Sequence, residues 1–226
     1  MTKKCVVLLS GGIDSTTCLA IAVARYGADS VLALSAFYGQ RHAKELLAAK
    51  KISDFYGVEQ MEIDLMDAFS LSECPLIGND RKIKHLSYAD QLEELGGEGT
   101  VDTYVPFRNG LFLSYAASVA VSIKAMVIYY GAHKDDAAGR AYPDCTPEFN
   151  KAMGRAILEG SAGACRLEAP LLLLNKAEVI FQGLQLGAPY HLSWSCYEGG
   201  KEPCGKCATC LDRKAAFAKL GILDPA

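Results

Sequence analysis

The chain has little that would carry it to a polyanion or a membrane. Its 23 Lys and Arg are outnumbered by 26 Asp and Glu, for a formal net charge of −3 over 226 residues. Without a global basic field, sequence-independent binding to nucleic acid or to an anionic bilayer is excluded as its main activity. Low-complexity segments, internal repeats and Pro- or Ser-rich linkers are also lacking, while 50% of the residues are apolar and 22% are charged. That balance excludes a disordered or collagen-like chain and predicts one globular domain with at most a small appendage. Long apolar runs are scarce too. Met1 to Leu9 opens basic and turns apolar like a secretion signal, but the run is short and meets Ser10-Gly11-Gly12, so a buried first strand is expected. Leu111 to Gly131 has the length of a membrane span, yet Lys124 interrupts it. There the pattern shifts from helical spacing (Leu111, Tyr115, Ala116, Val119) to the compact run Met126 to Tyr130, which predicts a buried helix followed by a buried strand.

Cysteine, by contrast, is abundant: there are nine, an odd number. A secreted disulfide scaffold is usually shorter and even-numbered, so a reducing, cytoplasmic setting is expected.

Short apolar runs alternate with helical patterns for most of the length. Strands are expected at Cys5 to Ser10, Ser30 to Phe37, Val58 to Leu65, Met126 to Gly131 and Arg166 to Ala169. Helices are expected at Thr16 to Tyr26, Gln40 to Tyr56, Asn109 to Ser122, Pro147 to Glu159 and Asn175 to Gly187. Repeated β-α units with continuous apolar strands imply a doubly wound, mainly parallel Rossmann-like sheet covered on both faces, with ligands beyond the carboxyl ends of its strands. Two stretches resist this alternation. Residues 66–104 offer only one short helix, Tyr88 to Leu95, and the segment after Gly187 is organised by cysteines rather than by periodicity. We expect an α/β unit over residues 1–190 and a small subdomain over 191–226 packed on it.

Ser10-Gly11-Gly12-Ile13-Asp14-Ser15 lies between the first strand and the first helix, where backbone N–H groups and the helix dipole make an anion site. Ser10 and Ser15 can add hydroxyl contacts, and Asp14 can cap the helix or hold a hydrated Mg²⁺. A plain tight turn capped by Asp14 or Ser15 would use the same residues. S-G-G-x-D-S in this position resembles the pyrophosphate loop of the ATP pyrophosphatase superfamily, whose members cleave ATP to AMP and pyrophosphate. The candidate nucleotide contacts are therefore Leu8, Leu9, Ser10, Gly11, Gly12, Ile13, Asp14, Ser15, Thr16, Thr17 and Cys18, with Gly131 at the end of a later strand. Gly200 to Lys206 also fits G-x-x-x-x-G-K, but Cys207 stands where Ser or Thr is needed and no apolar strand precedes it.

The tail reads C-x7-C-x2-C-x2-C through Cys196, Cys204, Cys207 and Cys210. Four thiolates so spaced can close a tetrahedron around a structural Zn²⁺. An iron–sulfur cluster is the rival, although the C-x3-C-P that completes a ferredoxin run is missing. A redox C-x-x-C pair and chance clustering remain open at this point.

Six segments in order give the chain a specific resemblance. They are Leu9 to Cys18, Phe37-Tyr38-Gly39-Gln40-Arg41-His42, Val105-Pro106-Phe107-Arg108-Asn109, Tyr142-Pro143-Asp144-Cys145, Pro170 with Lys176-Ala177-Glu178, and the four tail cysteines. Together they resemble the QueC family of 7-cyano-7-deazaguanine synthases over essentially the whole length. The resemblance implies an adenine nucleotide alpha-hydrolase-like fold, a zinc on the four cysteines and a homodimer. It also implies conversion of 7-carboxy-7-deazaguanine, ATP and ammonia to the 7-cyano base. A carboxylate is a poor electrophile, so activation as an acyl-adenylate would precede attack by ammonia, and a second activation of the amide would allow dehydration to the nitrile.

On this reading Asp14, Ser15, Arg108 and Lys176 carry the chemistry, with Mg²⁺ and Lys176 meeting the departing pyrophosphate. Tyr38, Gln40, Arg41, His42, Arg108, Asn109, Asp135, Tyr142 and Asp144 face the substrate, and a guanidinium fork suits its carboxylate. On the residues alone, Arg41 and His42 read equally as a solvated helix start and Asn109 as an N-cap, while Lys176 is a cation at a helix start where the dipole disfavours it. His133, Asp135, Asp136, Tyr142 and Asp144 lie in a loop after a strand, where a surface loop of ordinary charge would look the same. The chain departs from the family where many members carry Gly instead of Phe107, and in the loop from Asp135 to Ala141. Those departures bear on the fate of the activated acyl group, which in the alternative reading passes to another amine such as a protein N-terminus or stops at the amide. A tRNA thiolase of the same superfamily fits less well, since the cysteines serve zinc better and no basic platform exists. A zinc-ribbon interaction module on an inactive scaffold is the remaining alternative.

Overall fold

A computed structural model describes residues 3–78 and 81–225. Among these, five strands form one parallel sheet: β1 (Cys5–Leu8), β2 (Val31–Phe37), β3 (Glu59–Asp64), β4 (Val127–Tyr129) and β5 (Arg166–Glu168), in the spatial order β3-β2-β1-β4-β5. The order turns back at β1, which pairs with β2 on one side and β4 on the other. Successive strand residues point to opposite faces, and the burial pattern follows them. Cys5, Val7 and Leu9 enter one core with α1 (Ile13–Tyr26), α2 (Lys44–Tyr56), α7 (Lys176–Gln185) and α8 (Ala208–Lys219). Val6 enters the other, with Leu113, Ala116 and Ala120 of α4 (Arg108–Ser122) and Ile157 of α6 (Pro147–Gly160). The doubly wound α/β expectation is met.

The central strands are buried except at the carboxyl ends of β1 and β2, where Leu8, Ala36 and Phe37 are partly exposed, as continuous apolar runs lead one to expect. The edge strands depart from that pattern: β3 buries only Ile63 fully, and β5 has no fully buried residue. The apolar stretch after Leu111 resolves into helix and strand. Helix α4 ends at Ser122, and the chain turns at Lys124 with φ of 60° and enters β4. Among the described residues no helix is long and apolar enough to cross a membrane.

Helix α2 starts later than its sequence pattern suggests, at Lys44 rather than Gln40. The Gln40 side chain accepts from the Tyr38 N–H and donates to the Ala36 carbonyl, at 2.7 and 3.2 Å, so local side-chain bonds replace a helical turn. The stretch 131–145, read as a loop, contains α5 (Lys134–Ala137) and single 3₁₀ turns. In the irregular 66–104 stretch, α3 (Tyr88–Glu94) is capped by the Ser87 side chain. Here Phe69, Cys74, Leu76 and Ile83 are buried in a third core with Tyr38, Val105, Cys196, Cys207 and Cys210. The long irregular segment and the cysteine tail thus cover each other beyond the carboxyl edge of the sheet.

Helix α7 begins with a capping box between Asn175 and Glu178 and crosses α1 closely. Tyr190 lies under the crossing, its hydroxyl 2.7 Å from Thr17 Oγ1 and fully buried. A methyl on Gly183 would fall 1.9 Å from that hydroxyl. Gly183→Ala is expected to destabilise the fold by ~1–3 kcal/mol through overpacking, measured by urea unfolding. A change within ~0.5 kcal/mol would contradict this packing account.

Candidate active site

A cavity of about 550 Å³ opens at the carboxyl ends of β1, β2 and β4, where the strand order turns back. Its floor is the loop from Leu8 to Ser15. Ser10 Oγ and Ser15 Oγ lie 3.1 Å apart, and the Gly11 N–H donates to Ser15 Oγ at 3.2 Å. The two glycines do different work. A methyl on Gly12 would meet nothing nearer than 3.6 Å, so its backbone is open to the cavity. Gly11 has φ of +88°, and a methyl there would lie 2.4 Å from the Glu45 carbonyl oxygen, so it seats α2 against the loop.

Asp14, in the first turn of α1, receives both bonds of a short ion pair from Lys176 Nζ, at 2.6 and 2.7 Å. His133 Nε2 stands 3.6 Å from Asp14, 3.3 Å from Asp136 Oδ2 and 3.3 Å from Lys176 Nζ. Its Nδ1 accepts from the Asp135 N–H, which assigns the ring proton of the neutral form to Nε2. Asp135 in turn accepts from the Lys176 backbone N–H at 2.8 Å, so two helix starts are tied across the cavity. Burial works against the Asp14 charge, but Lys176 and His133 outweigh it and hold the carboxyl below its ordinary value. Asp136 moves the other way, raised by burial and by neighbouring Asp14.

Arg108 begins α4 with its guanidinium 5.5 Å from the Tyr38 ring centroid and 3.3 Å from the Tyr38 hydroxyl. Among the described residues it forms no ion pair. Asn109 donates from its backbone to Asp144 Oδ2 at 2.8 Å, and Asp144 is 3% exposed. Opposite, the hydroxyls of Tyr88, Tyr142 and Tyr197 converge, with Tyr88 2.6 Å from Tyr197 and 3.0 Å from Tyr142. Three separate segments meet in that cluster.

The cavity brings together Leu8, Leu9, Ser10, Gly12, Ile13, Asp14, Ser15, Tyr38, Gln40, Arg108, Asn109, Gly131, Asp135, Tyr142 and Lys176. Other residues singled out from sequence stand outside its lining. Thr16 and Thr17 turn their hydroxyls to the carbonyls of Gly12 and Ile13, and Cys18 is core, its thiol raised by burial. Asp144 holds the start of α4. His42 bonds the Cys196 carbonyl at 3.0 Å, and with Arg41 it lines a small crevice beside the cavity. Phe107 is 58% exposed, has φ of 55° and lays its ring over Gly110 and beside Phe149.

Several lining residues escaped the sequence reading: Glu45, Tyr88, Trp194, Tyr197, Asp212 and Arg213. Part of the signal was present, since Thr209, Asp212, Arg213 and Ala216 recur at helical spacing and all face the cavity from α8. Burial pushes Glu45 up to about 7 and Asp212 up to about 6.

The four tail sulfurs lie within 4.8 Å of one another, and Cys204 and Cys210 are 3.9 Å apart. A tetrahedron with Zn–S bonds of about 2.3 Å has edges of ~3.8 Å, so the residues fit a single zinc. A multi-iron cluster needs its cysteines farther apart. Backbone N–H groups of Cys204 and Cys207 donate to the sulfurs of Cys196 and Cys204, both at 3.3 Å, as outer-shell donors to thiolates do. Among the described residues no other group of His, Cys, Asp or Glu converges in this way, so the acidic residues of the cavity build no protein cage for a cation.

A parallel sheet that turns back at a Ser/Gly loop, with acidic and basic side chains gathered above it, is a PP-loop nucleotide-binding architecture of the α/β class. Two solved structures share the fold: an NMN synthetase from Francisella tularensis, with a TM-score of 0.53, 16% identity, and 98% of this chain and 78% of that one covered; and the U34-tRNA thiolase NcsA from Methanococcus maripaludis, with its [4Fe-4S] cluster, at 0.53, 18%, 97% and 67%. At such identities they show the fold alone. The chain belongs to the family described as queuosine biosynthesis protein QueC, whose model matches residues 4–221. Relatives include proteins named 7-cyano-7-deazaguanine synthase from Oceanobacillus iheyensis, 42% identical over 99% of this chain and 97% of that one, and from Archaeoglobus fulgidus, 39% identical over 98% and 89%.

The Asp14 pair sets a pH dependence. Its folded carboxyl titrates below the unfolded value of about 3.9, so the stability it contributes is present above that value and lost as pH falls through the folded one. Asp14→Asn is expected to cost ~2 kcal/mol near neutral pH, with the gap to the native protein closing in acid. A gap that stays constant down to strongly acidic pH in denaturation curves would contradict the assignment.

Proposed function

We propose that this protein is an ATP-dependent, C–N bond-forming ligase that converts 7-carboxy-7-deazaguanine and ammonia to 7-cyano-7-deazaguanine through the acyl-adenylate and the amide. The observation that carries the reading is Arg108: a guanidinium without an ion-pair partner among the described residues, lining the same cavity as the Ser10–Ser15 loop and Lys176. A half-buried cation with no ion-pair partner among the described residues is a site for an anion. Family membership makes the substrate carboxylate the fitting one.

Bound ATP supplies an electrophilic phosphorus to the carboxylate and, in the second round, to the amide oxygen. The residues around it hold and neutralise. The Gly12 backbone and the Ser10 and Ser15 hydroxyls face the pyrophosphate, joined by Leu8, Leu9 and Ile13 along the loop. Lys176 leaves Asp14 in part to meet charge on the departing group. Mg²⁺ would come chiefly on phosphate and water oxygens, with Asp14 as its protein contact, in keeping with the lack of a carboxylate cage. Gly131 permits close approach, since a methyl there would lie 3.0 Å from Asp14 Cβ.

Arg108 grips the substrate carboxylate in a fork, and Tyr38 supports its guanidinium. The hydroxyls of Tyr88, Tyr142 and Tyr197, with Asp135 and Gln40, present donors and acceptors to the purine-like ring. Asn109 and Asp144 position Arg108 by fixing the start of α4. Arg41 and His42 act from the crevice. The four cysteines hold a structural zinc, which would supply a rigid cross-link for the 191–226 subdomain. A homodimer in a reducing cytoplasm completes the proposal and rests on the family resemblance.

Mass spectrometry of the protein incubated with 7-carboxy-7-deazaguanine, ATP, Mg²⁺ and ammonium tests this directly. The nitrile and AMP are expected. AMP with only the amide, or with a deazaguanine-sized adduct on a protein, would move the function to the alternative acyl transfer, and no AMP at all would overturn both.

A further inference from the structure

Glu45 belongs to no part of the mechanism so far. It sits in the first turn of α2, its backbone carbonyl seated against Gly11. Its side chain lines the main cavity and also the small crevice of about 10 Å³ behind Tyr38, Gln40 and Tyr197. That volume admits one molecule of the size of water or ammonia. Three of the other four carboxylates on the cavity wall are engaged: Asp14 by Lys176, Asp135 by a backbone N–H and Asp136 by His133. Glu45 makes no hydrogen bond or ion pair among the described residues, and its charged neighbour is Arg108, the residue proposed to hold the substrate carboxylate.

We infer that Glu45 is the proton acceptor for the nitrogen nucleophile, at the end of the cavity where Arg108 holds the acyl group and a crevice of ammonia's size opens. The inference rests on the proposed function and deepens it. As ammonia adds to the acyl carbon, the C–N bond forms and the C–O bond to the nucleotide phosphate breaks, its electron pair leaving with AMP. The nitrogen gives up one proton, which Glu45 takes, and the amide remains. Burial raises Glu45 to about 7 while Arg108 draws it down, which suits a base that must both accept and release a proton near neutral pH. The groups facing it are Arg108 from α4, Tyr38 after β2, Arg41 and His42 before α2, and Tyr197 from the tail. His42 is lowered by burial. Asp212 is the other wall carboxylate without a hydrogen bond, but its charged neighbours are Lys176, Asp136, Asp135 and His133, at the phosphate end.

Glu45→Gln in the whole, metal-loaded protein separates the steps. Substrate-dependent exchange of pyrophosphate into ATP reads activation alone, and amide plus nitrile formation against ammonium reads the attack. Exchange is expected within about threefold of the native rate, with product formation down ~100-fold or more and its rise through neutral pH lost. Glu45→Asp keeps the acid and is expected to regain part of product formation, which guards against a merely misfolded Gln variant. Product formation near the native rate in Glu45→Gln overturns the inference. So does exchange that falls in parallel with product in both variants, or Asp212→Asn alone reproducing the uncoupled pattern. A native protein with no exchange on this carboxylate contradicts the proposed function itself.

Discussion

Four sulfurs drawn within 4.8 Å of one another are the constraint on which the cavity depends. The segment that carries them is irregular from residue 193 to residue 207 and becomes helical only at Ala208, yet it supplies the wall made by Trp194, Tyr197, Thr209, Asp212 and Arg213. Once the cluster is closed, the tail is held to the rest at several points. The Trp194 N–H donates to the Gly11 carbonyl at 2.9 Å, Lys44 reaches the Gly200 carbonyl and lies over the Trp194 ring, and His42 bonds the Cys196 carbonyl. Arg213, buried, bonds Ser193, the Tyr190 carbonyl and Asp224. The phosphate-type loop is therefore tied to the cysteine site through its own backbone.

Within that frame, charge is sorted between two ends of one cavity. At the loop end Asp14, Asp135 and Asp136 face Lys176 and His133, an arrangement that a polyphosphate with its cation can enter by exchange of partners. At the other end Arg108 lies against Tyr38 with no carboxylate in ion-pair reach among the described residues, and Glu45, its charged neighbour, makes no hydrogen bond among them. Burial keeps these groups poised: the same desolvation that raises Glu45 and Asp212 strengthens what Arg108 offers an incoming anion. One end suits the group that departs and the other the group that is attacked.

The parts of this arrangement that were legible in sequence are those with local causes. Strand β1, the Ser/Gly loop and α1 are contiguous, and their apolar run, turn and helical spacing declare them. The cysteine spacing declared a metal-type cluster for the same reason. What stayed hidden depends on residues far apart in the chain. Glu45 reads as an ordinary charge on a helix until Gly11 seats that helix, and Tyr88, Tyr142 and Tyr197 meet only after three separate segments close. Asp144 and His42 neighbour the right motifs but stand outside the main cavity's lining: Asp144 bonds the start of α4, and His42 bonds the Cys196 carbonyl beside the crevice. Thr16, Thr17 and Cys18 continue the loop in sequence, yet a helix turn takes them from its open side to the core.

The claim that the metal-held tail builds the substrate cavity is tested most directly by calorimetric binding of 7-carboxy-7-deazaguanine to the native, metal-stripped and zinc-reconstituted protein. The account predicts about one zinc per chain, with binding lost and the melting temperature lowered on stripping, and both restored by zinc. Undiminished binding and an unchanged melting profile after verified loss of the metal would contradict it.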